Sequence, residues 1–97
     1  MKDFQTFVNE SQDHPVYHNG YSSAIDAVEQ YATQLGYELD QAEYSNAYID
    51  AFFKPKPGKT KQDTLTLYKK GKKQKKALHV QIYGMGNGRF ELNMYVN

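Results

Sequence analysis

Ten lysines fall between Lys54 and Lys76, and their spacing points to one specific chemistry. Lys69, Lys70, Lys72, Lys73, Lys75 and Lys76 surround Gly71, and Lys54, Lys56, Lys59 and Lys61 occupy the stretch before them. Six cations on one short arm repel each other, a cost that a polyanion offsets most simply. Neutralised phosphates release counterions, so such an arm is expected to bind the DNA or RNA backbone with strong salt dependence. Lysine rather than arginine favours backbone contact over base reading, because an ammonium lacks the planar two-pronged fork. A solvated hairpin tip whose lysines discourage edge-to-edge strand pairing explains the same residues without a ligand.

Other chemistries lack their parts. The chain has no Cys, which removes disulfides, zinc thiolates and a thiol nucleophile. His14 and His18 stand four apart, but Pro15 between them denies a shared helix face, and Asp13 does not complete a ligand set. His79 and Glu91 fall on neighbouring strands out of direct opposition, and no nucleophile with an adjacent base is evident. Gly84-Met-Gly-Asn-Gly88 resembles a glycine-rich phosphate loop in outline, yet it joins two strands with no helix behind it. The expectation is no catalytic residue, no metal site and no cofactor.

The elements that must position the lysines come from alternation. Thr64–Tyr68, Ala77–Tyr83 and Phe90–Val96 each alternate apolar with polar residues and predict an antiparallel three-stranded meander. Leu65 and Leu67, then Leu78, Val80 and Ile82, then Phe90, Leu92, Met94 and Val96 point to one face. A two-residue turn at Asn87-Gly88 would set Ile82 opposite Asn93. A three-residue Gly86-Asn87-Gly88 loop, with Gly88 left-handed in a bulge, sets Ile82 opposite Leu92 and is preferred. The first hairpin is expected to turn at Gly71-Lys72 in a type II′ geometry, which places Leu65 opposite Leu78. The other face then carries Thr64, Thr66, Tyr68, His79, Gln81, Tyr83, Glu91, Asn93 and Tyr95, with His79 beside Tyr95, Gln81 beside Asn93 and Tyr83 beside Glu91. Its tyrosines, with His79, Gln81 and Asn93, are candidates to stack or contact unpaired bases; flanking the core or meeting a protein is the rival account.

Upstream, Phe4, Phe7 and Val8 predict a short helix over about Asp3–Ser11, closed by His14-Pro15, with a loop from Tyr17 to Gly20. Ala24, Ile25, Val28, Tyr31, Ala32 and Leu35 form one stripe of a helix over Ser22–Leu35, with Ser23 and Asp26 as a capping arrangement and Gly36 as the stop. Asp40 and Glu43 suggest another cap. The favoured outcome there is a helical turn over Gln41–Tyr44 followed by a fourth strand over Ala47–Lys54, and the rival is a helix running to Phe52. Lys54–Gln62, with Pro55 and Pro57, reads as a loop. The expectation is one α+β domain: 1–20 short helix and loop, 21–36 main helix, 37–63 turn or strand with the Pro-Lys loop, 64–97 meander. Its N-terminal helices pack on one face of an antiparallel sheet of three or four strands.

A near-neutral total hides a division. Residues 1–53 carry nine carboxylates against Lys2, a balance of −8, while 54–97 carry ten Lys and Arg89 against Asp63 and Glu91, a balance of +9. The acidic half can form the wet faces of helices, imitate a phosphate backbone, or meet the basic half of a second copy. A protein partner or a homo-oligomer is therefore the alternative to nucleic acid. The N-terminus lacks the apolar core of a signal peptide and no stretch approaches a membrane span, so a cytoplasmic protein is expected.

Lys54-Pro-Lys-Pro-Gly-Lys-Thr60, Gly71-Lys72, Lys76-Ala-Leu-His-Val-Gln-Ile-Tyr83 and Phe90-Glu-Leu-Asn-Met-Tyr95 resemble small uncharacterised proteins of bacterial plasmids and phages. The resemblance covers about half the chain and rests mostly on strand alternation. It implies a mobile-element setting, in which DNA handling and interference with host defence are both natural roles, and it assigns no residue a function.

Overall fold

The computed structural model describes residues 14–48 and 54–97. The expected helix over Asp3–Ser11 lies outside them, as do residues 49–53. The described residues form an α+β domain with an antiparallel sheet. Its elements are β1 (Tyr17–His18), α1 (Tyr21–Gln34), β2 (Glu38–Leu39), α2 (Gln41–Tyr48), β3 (Thr60–Lys69), β4 (Lys72–Gly86) and β5 (Arg89–Val96). The sheet has five strands in the order β1-β5-β4-β3-β2, not three or four. The two extra strands are the short edges: β1 pairs with β5 where a loop was expected, and β2 pairs with β3.

The central register follows the apolar alternation. Leu65 faces Leu78, Val80 faces Met94 and Ile82 faces Leu92. These residues are fully or almost fully buried and join Ala24, Val28, Tyr31 and Ala32 of α1 and Tyr48 of α2 in one core. Each fully buried aliphatic side chain contributes about 1.5–3 kcal/mol relative to exposure, so a one-residue slip would forfeit most of the core. Both strands run longer than expected, β3 starting at Thr60 inside the predicted loop and β4 reaching from Lys72 to Gly86.

Both turns differ from expectation, and in each hairpin an irregularity restores the register. The first turn is centred on Lys70-Gly71, both with positive φ (53° and 78°), rather than on Gly71-Lys72. Such type I′ geometry matches the right-handed twist of the flanking strands. Thr66 then faces Ala77 while Tyr68 faces Lys73, so Leu67 alone spans Gln74–Lys76. The second turn is the two-residue Asn87-Gly88 (φ 56° and 74°), and the bulge sits at Met85–Gly86 instead of Gly88. Local turn preference and core register disagree, and the bulges absorb the difference.

In α1, Gly20 is the N-cap without a side-chain hydrogen bond, so Ser23 and Asp26 do not cap it. The C-terminus follows the glycine prediction. Gly36 takes φ 89°, its N–H donates to Thr33 O at 3.0 Å, and the Tyr37 N–H donates to Ala32 O at 2.9 Å. Leu35, expected on the apolar stripe, is exposed, and Ala27 is buried instead. Asp40 does cap α2, its Oδ1 accepting from the N–H groups of Ala42 (2.9 Å) and Glu43 (3.1 Å). Ala47–Tyr48 are therefore helical, which corrects the strand expected to begin there. Glu43 reaches away from its own cap. Its carboxylate accepts from the Thr66 N–H at 2.7 Å and the Thr66 hydroxyl at 2.8 Å, covering the outer edge of β3 just beyond β2.

Burial pushes the phenols of Tyr21 and Tyr44 up from about 10 to about 12, with carboxylates adding to it: Asp63 for Tyr21, Glu29 and Asp26 for Tyr44. Tyr48 moves further in the same direction, by burial first and then by Asp63. A raised folded-state value means the native protein holds protons that the unfolded chain releases. The stability these phenols contribute is complete below about pH 10 and is lost as pH climbs toward 12. Thermal melts are expected to hold steady up to pH 9 and fall steeply above about pH 10. Phenolate absorbance should rise in two phases, the later one coinciding with unfolding; a single phase near pH 10 without unfolding would contradict this assignment.

Candidate nucleic-acid interface

The type I′ turn throws the first lysine group to one end of the sheet. Lys70, Lys72, Lys73, Lys75 and Lys76 are exposed there, and none of the five has an ion pair among the described residues. Lys69 folds back, its Nζ 4.8 Å from the centroid of the Tyr37 ring. The irregularity at Gln74–Lys76 borders a shallow cleft of about 390 Å³ between Tyr37 and Lys73, Gln74, Lys75 and Lys76. The Gln74 side-chain amide donates to Lys72 O at 2.9 Å, which braces the widened strand.

The ten lysines do not form one patch. Lys54, Lys56 and Lys59 lie at the opposite end, where the Pro57–Lys59 segment is clipped to Gly84. The Gly58 N–H donates to Gly84 O at 2.8 Å and the Gly84 N–H to Lys59 O at 2.9 Å. Lys73 and Gly84 are eleven residues apart on β4, which at roughly 3.3 Å per residue separates the two cationic ends by about 36 Å. Lys61 belongs to neither. It points inward, its Nζ 3.3 Å from Asp63 Oδ2 and 5.5 Å from the centroid of Tyr48, so it is withdrawn from any phosphate-contacting set. Arg89 joins Lys54 and Lys56 around a second cleft of about 360 Å³, lined also by Pro55, Pro57, Gly86, Gly88 and Phe90.

Between the ends lies the outward face. His79 faces Tyr95 and stacks on it, with ring centroids 4.7 Å apart and planes 17° apart. Its Nε2 lies 3.3 Å from Asn97 O, and a carbonyl can only accept, so that nitrogen carries the proton. Gln81 faces Asn93, and Tyr83 faces Glu91, which in turn faces Tyr17 of β1. Asn93 Nδ2 donates to Glu91 Oε2 at 3.2 Å. Tyr68 is half-buried and paired with Glu38 at the lysine-hairpin end. Tyr17, 59% exposed, is the most open aromatic side chain among the described residues and was not among the expected contacts. Two residues of strand carry too little alternation to reveal their pairing.

One juxtaposition had no signal in the sequence. His18 is buried, its Nε2 2.9 Å from Pro15 O and its Nδ1 2.7 Å from Ser23 Oγ. The carbonyl requires the proton on Nε2, so in the neutral ring Nδ1 accepts from the serine hydroxyl. A serine with an adjacent base does therefore exist, contrary to expectation. Both ring nitrogens are engaged, and the contact ties β1 and the residues before it to the first turn of α1. Among the described residues no three His, Asp or Glu side chains gather as metal ligands, and no helix is long and apolar enough to cross a membrane.

The acidic half is partly spent on the fold. Asp40 caps α2, Glu43 grips Thr66, and Glu29 Oε2 accepts from Gln41 Nε2 at 3.1 Å. Of the described carboxylates before residue 49, these leave Asp26 and Glu38 without such a hydrogen bond. Comparison of the chain with protein-family models, curated proteins and solved structures finds no match.

Proposed function

We propose that the protein is a non-enzymatic binding module that holds nucleic acid by its phosphates, with the Lys70–Lys76 arm as the principal contact. The observation that carries this is a hairpin end with five exposed lysines that have no ion pair among the described residues. Lys70 adds weight. It occupies a left-handed position (φ 53°) that glycine or asparagine fills with less strain, and left-handed backbone costs a side-chain-bearing residue about 1–2 kcal/mol. Folding alone would favour another residue there, whereas a phosphate contact gives a reason for lysine. The alternative, a protein partner or second copy held by the acidic half, is less favoured because Asp40, Glu43 and Glu29 already serve internal hydrogen bonds. A mobile-element setting, as the resemblance implies, would agree with either partner.

The test is a titration of labelled single- and double-stranded DNA and RNA with the full chain at two salt concentrations. Five phosphate contacts give a slope near −4.5 for duplex, so affinity should fall about 500-fold between roughly 50 and 200 mM salt. Absence of salt-sensitive binding at the lower concentration overturns the proposal. Capture of one stoichiometric protein after nuclease treatment, with no nucleic acid bound, would establish the alternative.

A further inference from the structure

The cleft at the far end of β4 combines features that a plain cationic surface lacks. Lys54, Lys56 and Arg89 supply charge around it, and Pro55, Pro57 and Phe90 supply apolar walls. At about 360 Å³ it lies within the range of small-molecule sites and well below what a duplex would require. Its walls are fixed in advance. The Lys59 N–H donates to Lys56 O at 2.9 Å, closing a tight turn, and two further hydrogen bonds clip that turn to Gly84. A turn so held loses little freedom when a ligand enters. A second observation converges on this end. Of the exposed large apolar side chains among the described residues, Met85 directly precedes Gly86 of the cleft lining, and Tyr17 and Tyr83 (59% and 39%) flank Glu91 at the same end of the sheet but on its outward face.

We infer that this cleft holds one nucleotide unit of a single strand. The phosphate sits among Lys54, Lys56 and Arg89, and the base lies against Pro57 and Phe90. Around the end of the sheet, on its outward face, Tyr17 and Tyr83 offer rings to unpaired bases further along the strand, since stacking on an aromatic face tolerates any sequence. A stacked base pair cannot present its base to such a cleft, so this end selects unpaired strand, whereas the lysine arm contacts any phosphate backbone. The inference rests on the nucleic-acid reading of the lysine arm and assigns the unpaired strand as its ligand class.

The test follows amide chemical shifts of the full chain during titration with adenosine 5′-monophosphate, adenosine and inorganic phosphate separately. The nucleotide is expected to give saturable shifts at Lys56 and Gly86–Phe90 near about 1 mM, at least about tenfold tighter than adenosine or phosphate alone. Lys56→Glu with Arg89→Glu should abolish these shifts, and Lys70→Glu with Lys72→Glu and Lys73→Glu should leave them unchanged. No saturable shift, or equal shifts with phosphate alone, overturns the inference. Nucleotide shifts at the cleft without salt-sensitive oligonucleotide binding would remove the lysine-arm reading and keep the cleft. Oligonucleotide binding without cleft shifts would do the reverse.

Discussion

Replacing Lys70, Lys72 and Lys73 together by glutamate is expected to weaken duplex binding by about 500-fold at 0.1 M salt and to flatten the salt slope by about 2.7. The magnitude follows from counterion release: each lost phosphate contact removes about 0.9 from the slope, and at 0.1 M salt that is nearly a decade of affinity per contact. Fold stability should barely move. All three side chains are exposed, they form no ion pair among the described residues, and relief of mutual repulsion works in the variant's favour. Lys70→Gly separates charge from shape, because it removes one contact while relaxing a left-handed backbone position. It should cost about one decade of affinity while raising stability. Lys61→Glu serves as a control of opposite character. Lys61 is engaged with Asp63 and Tyr48, so its reversal should cost stability and leave the salt slope unchanged. Equal losses of affinity for the Lys61 and Lys70–Lys73 variants would mean that net charge, not the arm, governs binding.

What could be foreseen in the sequence divides along physical lines. Alternation fixed which residues face inward, because Leu65, Leu78, Ile82, Leu92 and Met94 cannot all be buried in any neighbouring register. Turn geometry could not be inferred from register, since a bulge decouples the two. Asn87-Gly88 forms its two-residue turn and the core still pairs Ile82 with Leu92, because Met85 is extra and Gly86 accommodates φ 90°. Helix α1 and its glycine stop were evident, whereas Ser23 misled. A serine before an apolar stripe resembles a cap, but here its hydroxyl donates to His18, a partner set by tertiary packing. The lysines were visible as a count and not as a surface. Ten residues close in sequence separate to two ends once β3 and β4 are long strands, and alternation turns Lys61 inward while its neighbours face out. Tyr17 was hidden for a different reason, that an edge strand of two residues is defined by its partner rather than by its own pattern.

Gly84→Ala is expected to be the most damaging glycine-to-alanine substitution on the sheet, and it also tells the two cationic ends apart. A Cβ at this position would sit 2.5 Å from Lys56 O and 2.9 Å from both Lys56 C and Pro55 O. These are backbone atoms of a segment held by hydrogen bonds to Gly84 itself, so no side-chain rotation relieves the overlap. Displacing the segment sacrifices two hydrogen bonds, each worth about 1 kcal/mol, and overpacking adds about 1–3 kcal/mol. A total of about 3–5 kcal/mol is a large part of the stability of a domain this size and should lower Tm by at least about 12 °C. Gly88→Ala is the informative contrast. Nothing lies within 4 Å of its added methyl group, and its φ of 74° leaves backbone strain as the sole penalty, about 1 kcal/mol. Denaturant melts of the two variants should therefore differ at least threefold in free energy lost; equal losses would show that left-handed strain, not the crossing of Lys56 over Gly84, makes this part of the sheet depend on glycine. Below its melting temperature the Gly84→Ala protein retains an intact lysine arm 36 Å away by the strand-length estimate and a displaced Pro55–Lys59 segment. Its salt-sensitive duplex binding should then survive nearly unchanged while the nucleotide response at the cleft disappears, which no difference in net charge could produce.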